Sequence, residues 1–345
     1  EELRDGTVVL SSRVDGGRFF NLFKFNDDTY TTGSWGTVAK STTAYDGSSG
    51  TNGEIYKVKA IRKDDGQICD VMLQSIPAGP GRANVTVYYK EMDYTTAYTP
   101  ATFAADWKVG KQVSYRGSAY STMIMQADGR LGFFFEEEPG GYCMVYIPYS
   151  IEDVTGGAYS LYTVNSTIGE HKVGTFYATE AMQIPEGVRA YVATETPVME
   201  NGVGKIHMTE LSDIIPANTG AVLRAEADSY KFIPSISYGT PVENNMLVGY
   251  EATDNNSESY NEFDAEANSF VLTVKEGKAA FYLWVASGKN PKFRVYNNKA
   301  YLQLHHLFAN TGFVTEAISS GYLHRVASDL EHESMAFKGV YHRCC

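Results

Sequence analysis

An all-β fold built from short twisted strands joined by tight turns is what this sequence predicts, on three observations. Aromatic residues make up 13% of the chain, led by Tyr (25) and Phe (17), beside 32 Gly. That mixture suits twisted strands and tight turns better than helix bundles. Apolar and aromatic runs recur along the chain, and the spacers between them are rich in Gly, Asp, Asn and Ser. At 345 residues the chain is also too long for one ordinary core, so two domains are expected.

The first domain is read over residues 1–157. Its runs are TVVLSSR (7–13), FFNLFKF (19–25), EIYKVKAI (54–61), CDVMLQSI (69–76), NVTVYYK (84–90), YSTMIMQ (120–126), RLGFFFEEE (130–138) and YCMVYIPYS (142–150). Turn signals RDG, KDDG, QADG and EPGG separate them. Short strands at this spacing predict a sandwich, barrel or propeller. A propeller blade takes about 40–50 residues, so the segment has room for about three blades. Three blades do not close, and the chain opens at Glu1 with no charged-then-apolar leader, so further sequence is expected upstream.

An all-β accessory domain, sandwich-like, is read over 158–304. Its runs are KVGTFYATEAMQI (172–184), VRAYVATE (188–195), KIHMTEL (205–211), AVLRAEA (221–227), SFVLTV (269–274), AAFYLWV (279–285) and KFRVYN (292–297). Beyond Leu304 the alternation stops, and residues 305–345 form an irregular tail. It holds five of the seven His (His305, His306, His324, His332, His342) and two of the four Cys. A shifted reading frame would produce such a composition.

The net charge of −12 excludes nucleic acid as a partner, because phosphate contacts need a basic surface. It leaves room for an acidic small substrate, since a few clustered arginines make a local cationic pocket. Cys69, Cys143, Cys344 and Cys345 lack metal-type spacing, the tail histidines form no convincing set of four, and no metal is expected. No stretch approaches eighteen apolar residues, so no membrane span is expected.

Three segments carry the chemistry: RGSAYSTMIMQADGRLGFFFEEE (116–138), SIPAGPGRANVTVYYK (75–90) and EELRDGTVVLSSRVDGGR (1–18). Together they resemble the C-terminal half of the catalytic propeller of bacterial exo-α-sialidases. In that family a Tyr-Ser pair begins a strand, a turn-rich loop delivers the last of three arginines, and a turn-strand-arginine segment delivers the middle one. The resemblance implies that Tyr120 is the nucleophile and that Arg82 and Arg13 bind the substrate carboxylate. The step of 38 residues from Arg82 to Tyr120 fits the family order. Arg18 competes with Arg13 and ranks lower because it follows the GG turn.

The chemistry explains those residue types. Sialic acid carries a carboxylate on its anomeric carbon, so an attacking Asp or Glu meets like charge. A neutral phenol avoids this, and sialidases are the tyrosine exception among glycosidases. With a pKa near 10 the phenol needs a neighbouring carboxylate to accept its proton. Guanidinium groups bind a planar carboxylate through paired, charge-assisted hydrogen bonds, which lysine does not match.

The resemblance implies a partial six-bladed propeller, an exo-α-sialidase activity with retention through a tyrosyl intermediate, and no cofactor. It implies sialylated glycans or glycoproteins as partners and a periplasmic, cell-surface or secreted location. The family's first arginine, its aspartate acid/base and its glutamate fall outside this sequence, so these residues alone are expected to turn over weakly or not at all. Glu1 and Glu2 are out of register for the glutamate. A non-catalytic sialic-acid-binding or structural propeller shares the arginines and stays open, while a paired-carboxylate glycosidase gives Arg82 and Tyr120 no role.

Residues 27–37 (DDTYTTGSWGT) resemble a degraded Asp-box hairpin, a structural rim motif. Glu136, Glu137 and Glu138 are read as a solvated turn. IPANTGAVLRA (215–225) and NNKAYLQL (297–304) resemble C-terminal modules of secreted proteins from Bacteroides-type bacteria. There, sugar binding through Trp284 and tyrosines stands beside a purely structural role.

Overall fold

The computed structural model describes residues 1–14, 17–44, 50–194, 198–200, 203–206, 208–264, 269–275, 277–284, 292–304 and 325–328. The protein is mostly β and divides into two compact units, Glu1–Tyr162 and Thr163–Cys345. The first unit runs past the expected boundary at 157, because Tyr159–Leu161 pairs antiparallel with Ile55–Arg62. The expected irregular tail, 305–345, lies outside the described residues except for 325–328.

Among the described residues, the first unit contains three antiparallel sheets. Strands β1 (Val8–Val14), β2 (Gly17–Phe25), β3 (Gly33–Trp35) and β4 (Ala39–Lys40) form the first. Strands β5 (Ile55–Arg62), β6 (Ile68–Pro77), β7 (Val85–Glu91) and β8 (Lys108–Gln112) form a meander. The third comprises β9 (Ser118–Met125), β10 (Leu131–Glu137) and β11 (Cys143–Tyr149). Strand β12 (Tyr159–Leu161) returns to the outer edge of β5 and makes the meander five-stranded. All eight runs read in this region fall on strands.

The meander is the middle layer, and its period-two pattern serves two cores. Val71 and Leu73 of β6 join Val85 and Val87 of β7 in a cluster with Met123, Phe133 and Phe135 of the third sheet. Met72 and Ile76 face the other way, onto Phe20 and Leu22 of β2. A strand covered on both sides reads as a nearly continuous apolar run, as ICDVMLQSIP does.

Two short helices close the layers, α1 (Pro100–Ala104) and α2 (Ile151–Val154). Each starts at a hydroxyl residue, Thr99 or Ser150, whose side chain accepts from the third backbone N–H of its helix. Helix α1 ends on a cation: Lys90 Nζ donates to the carbonyls of Thr102, Phe103 and Ala105 at 2.7, 3.2 and 2.7 Å. Burial lowers the Lys90 pKa, and nearby Asp106 opposes that shift.

In the second unit, Tyr191 and Val222 come from one four-stranded sheet and Leu247, Phe270, Phe281 and Leu302 from another. They meet in one core. The IPANTG and NNKAYLQL stretches hold this fold. Asn218 and Asn298 take left-handed turn conformations, φ 56° and 57°, which Asn tolerates better than most residues. Asn245 Nδ2 donates to the Gly220 carbonyl at 2.7 Å.

Candidate active site

Tyr120 lies on β9, where alternation sorts the side chains. Ala119, Ser121, Met123 and Met125 are buried, while Thr122 and Ile124 on the other face are exposed and Tyr120 is half-buried. Its phenol therefore stands at the surface of the third sheet, where the start of β9 pairs with the end of β10.

Arg82 reaches it from a loop fixed at several points. Ala78 N and Gly79 N donate to the Asn84 and Ala83 carbonyls, and Asn84 Nδ2 donates to the Gly79 carbonyl at 2.8 Å. Gly79 and Gly81 supply the positive φ values, 83° and 64°, that this turn needs. The loop is tied to the entry of β9: Ser118 N donates to the Arg82 carbonyl at 2.9 Å, and Asn84 N to the Arg116 carbonyl at 3.0 Å. This clamp holds the Arg82 guanidinium carbon 5.3 Å from the centre of the Tyr120 ring.

Arg13 arrives from the end of β1. Its Nη1 donates to Tyr120 Oη at 3.3 Å, and its guanidinium carbon is 5.9 Å from the ring centre. Arg18 is instead 1% exposed, on the inward face of β2 with Phe20 and Leu22, and its Nη2 donates to the Thr51 carbonyl at 2.8 Å. The structure thus brings Arg13, Arg82 and Tyr120 together and places Arg18 in the interior.

Two cations facing one phenol favour its ionised form. The Tyr120 pKa lies below the ordinary tyrosine value, first through the hydrogen bond from Arg13, then that from Arg82, with the charges of both adding.

Two carboxylates neighbour Tyr120. Glu136 Oε2 accepts from Tyr120 N at 3.3 Å. Glu54 shares with Tyr120, Ser121, Thr122 and Phe134 a cavity of about 340 Å³. It is oriented there by Thr122 Oγ1, which donates to Glu54 Oε2 at 2.9 Å. Sequence reading missed Glu54, a lone glutamate entering β5 after a glycine-rich loop. Only its pairing partners reveal its position.

The acidic run corrects the reading of a solvated turn. All three side chains are half-buried, and each carboxylate has a local donor. Besides the Glu136 contact, Ser114 Oγ donates to Glu137 at 2.7 Å and Gly140 N to Glu138 at 3.2 Å. Glu1 is also structural, with Oε1 accepting from Lys57 N at 2.9 Å. In the Asp-box-like stretch, Trp35 packs edge-on against Phe23 at 5.1 Å, a hairpin contact.

Among the described residues, no group of three His, Cys, Asp or Glu side chains is placed to hold a metal ion. No helix of the described residues is long and apolar enough to cross a membrane. The chain matches no protein-family model, and no curated protein matches it.

Proposed function

We propose that the first unit supplies the carboxylate-binding and nucleophilic part of an exo-α-sialidase site. The observation that carries this reading is the convergence of two guanidinium groups from distant parts of the chain on one half-buried phenol. Arg13 and Arg82 bind the carboxylate of a terminal sialic acid. Tyr120 Oη then forms a bond to the anomeric carbon as the glycosidic C–O bond breaks, and the phenolic proton passes to a carboxylate. The leaving oxygen takes a proton from a general acid. Water attack on the tyrosyl intermediate releases sialic acid with retained configuration.

The family resemblance assigns the acid/base aspartate, the glutamate and the first arginine to positions outside this sequence. The activity is therefore proposed for an enzyme in which these residues form one part of the site. The same reading makes the three sheets of the first unit blades of a six-bladed propeller and the second unit a sandwich-like accessory module. Its location is periplasmic, cell-surface or secreted, with sialylated glycoconjugates as substrates.

The direct test is hydrolysis of a fluorogenic sialoside by the enzyme containing these residues. Tyr120→Phe is expected to abolish turnover nearly completely while leaving the unfolding transition unchanged. Turnover at the unsubstituted rate in Tyr120→Phe would place the nucleophile elsewhere.

A further inference from the structure

The second unit contains a cavity of about 560 Å³, within the range of about 300–1,000 Å³ common to small-molecule sites. One wall is the strand Val164–Ile168, whose outward residues Asn165 and Thr167 line it. The loop carrying Asn255, Ser257 and Glu258 lines it as well, together with Tyr296 and Lys299.

The loop is held before any ligand arrives. Asn297 Nδ2 donates to the carbonyls of Asp254 and Asn256, both at 3.1 Å, and its Oδ1 accepts from Ala252 N at 2.8 Å. Within the loop, Glu258 N donates to Asn256 Oδ1 at 3.0 Å and Ser259 Oγ to Asp254 Oδ1 at 2.8 Å. Tyr296 is fixed too, since its ring packs edge-on against Tyr260, its cross-strand partner, at 5.8 Å. Asn297 and Asn298 are consumed in holding the frame.

The remaining lining groups are free to recognise something. The side chains of Asn165, Thr167, Asn255 and Ser257 are exposed at the cavity. Lys299 Nζ has only a long contact, 3.4 Å, to Ser166 Oγ. Burial lowers the Lys299 pKa. The one carboxylate and the one ammonium offset each other, which disfavours an ionic ligand. The concentration of amides and hydroxyls disfavours an apolar one. A single exposed phenol ring adds a flat apolar surface of the kind that packs against the C–H face of a pyranose. Rigid walls lower the ordering cost of binding.

We infer that this cavity is a binding site for a neutral sugar residue, with Tyr296 as the stacking platform and Asn165, Asn255 and Glu258 reading hydroxyl groups. Trp284, the aromatic that sequence reading favoured for such a role, packs instead against Phe293 at 6.1 Å, in the cluster with Val295 and Tyr301. The inference is independent of the proposed activity, because every residue it uses lies in the second unit.

The test is saturation-transfer NMR on the full chain with the methyl glycosides of glucose, galactose, mannose and N-acetylglucosamine. Methyl glucuronide serves as the acidic comparator. At least one neutral glycoside is expected to bind in the millimolar range. Tyr296→Ala and Glu258→Gln should each weaken it about tenfold, and Arg82→Ala should leave it unchanged. Both cavity substitutions are at exposed side chains, and an unchanged unfolding midpoint verifies the fold. Four results would overturn the inference: no transfer to any neutral glycoside, binding that survives both cavity substitutions, binding lost only with Arg82→Ala, or tighter binding of the glucuronide.

Discussion

Arg18 and Arg13 show how much a single position decides. The two residues oppose each other across the β1–β2 hairpin, yet one is buried and the other meets Tyr120. The reason for Arg18 is legible in the chain, since Arg18, Phe20 and Leu22 fall on alternate positions of β2 and share its inward face. The partner of Arg13 is not legible from local pattern, because its bond to Tyr120 spans 107 residues and depends on how three sheets stack. At this scale Arg82→Ala should lower kcat/KM for a sialoside about 10²- to 10⁴-fold, the range for truncating one partner of a desolvated charge pair. A loss under about threefold would contradict the carboxylate-binding role. The phenol carries its own signature. Its depressed pKa means that one tyrosine should ionise below the usual value of about 10 in an ultraviolet phenolate titration. That early step should vanish in Tyr120→Phe and move upward in Arg13→Ala. An unchanged titration in Arg13→Ala would rule out the hydrogen bond as its main cause.

Strands were far easier to read than helices or loop carboxylates. The apolar runs of the first unit fall on β1, β2, β5, β6, β7, β9, β10 and β11 because each buries at least one face of a layered core. Helix α1 left little periodic signal in five residues, and its marks are the Thr99-Pro100 start and the capping box. Nothing local announces that Lys90, on a strand ten residues earlier, terminates it. That contact sets the prediction for this element. Lys90→Met keeps the packing of the stem and removes the donor shared by three carbonyls in a buried setting. The substitution should cost about 2–4 kcal/mol of stability, read as a lower urea midpoint at unchanged slope. If the midpoint stays in place, those carbonyls find water, and the helix end does not depend on the lysine.

For the whole molecule, the distribution of buried acids of high pKa fixes how the protein meets alkali. Burial raises the pKa of Tyr94, Tyr98 and Tyr159, and for Tyr159 the hydrogen bond to Glu91 at 2.6 Å adds to the effect. Burial also pushes the Cys69 thiol up to about 12, with the charge of Glu91 contributing. The folded state therefore keeps protons that the unfolded chain releases, from about pH 8.5 for a free thiol and about 10 for a free phenol. The stability from these groups is complete below those values and falls as pH rises toward the folded pKa. Burial raises Tyr149 and Tyr177 as well. Tyr120 acts in the opposite sense, since its ionised form is favoured by folding, and so do Lys90 and Lys299, whose buried ammonium groups lose their protons earlier in the folded chain. Those three are outnumbered by the six raised acids among the described residues. The unfolding midpoint should consequently fall steadily from about pH 9 to 12. Over the same range Cys69 should react with iodoacetamide far more slowly than exposed Cys143, measured by peptide mapping under native conditions. Equal rates at the two cysteines at pH 9 would mean that the interface of β5, β6 and β12 opens before the thiol ionises. The alkaline transition would then report local opening of that edge and not proton linkage.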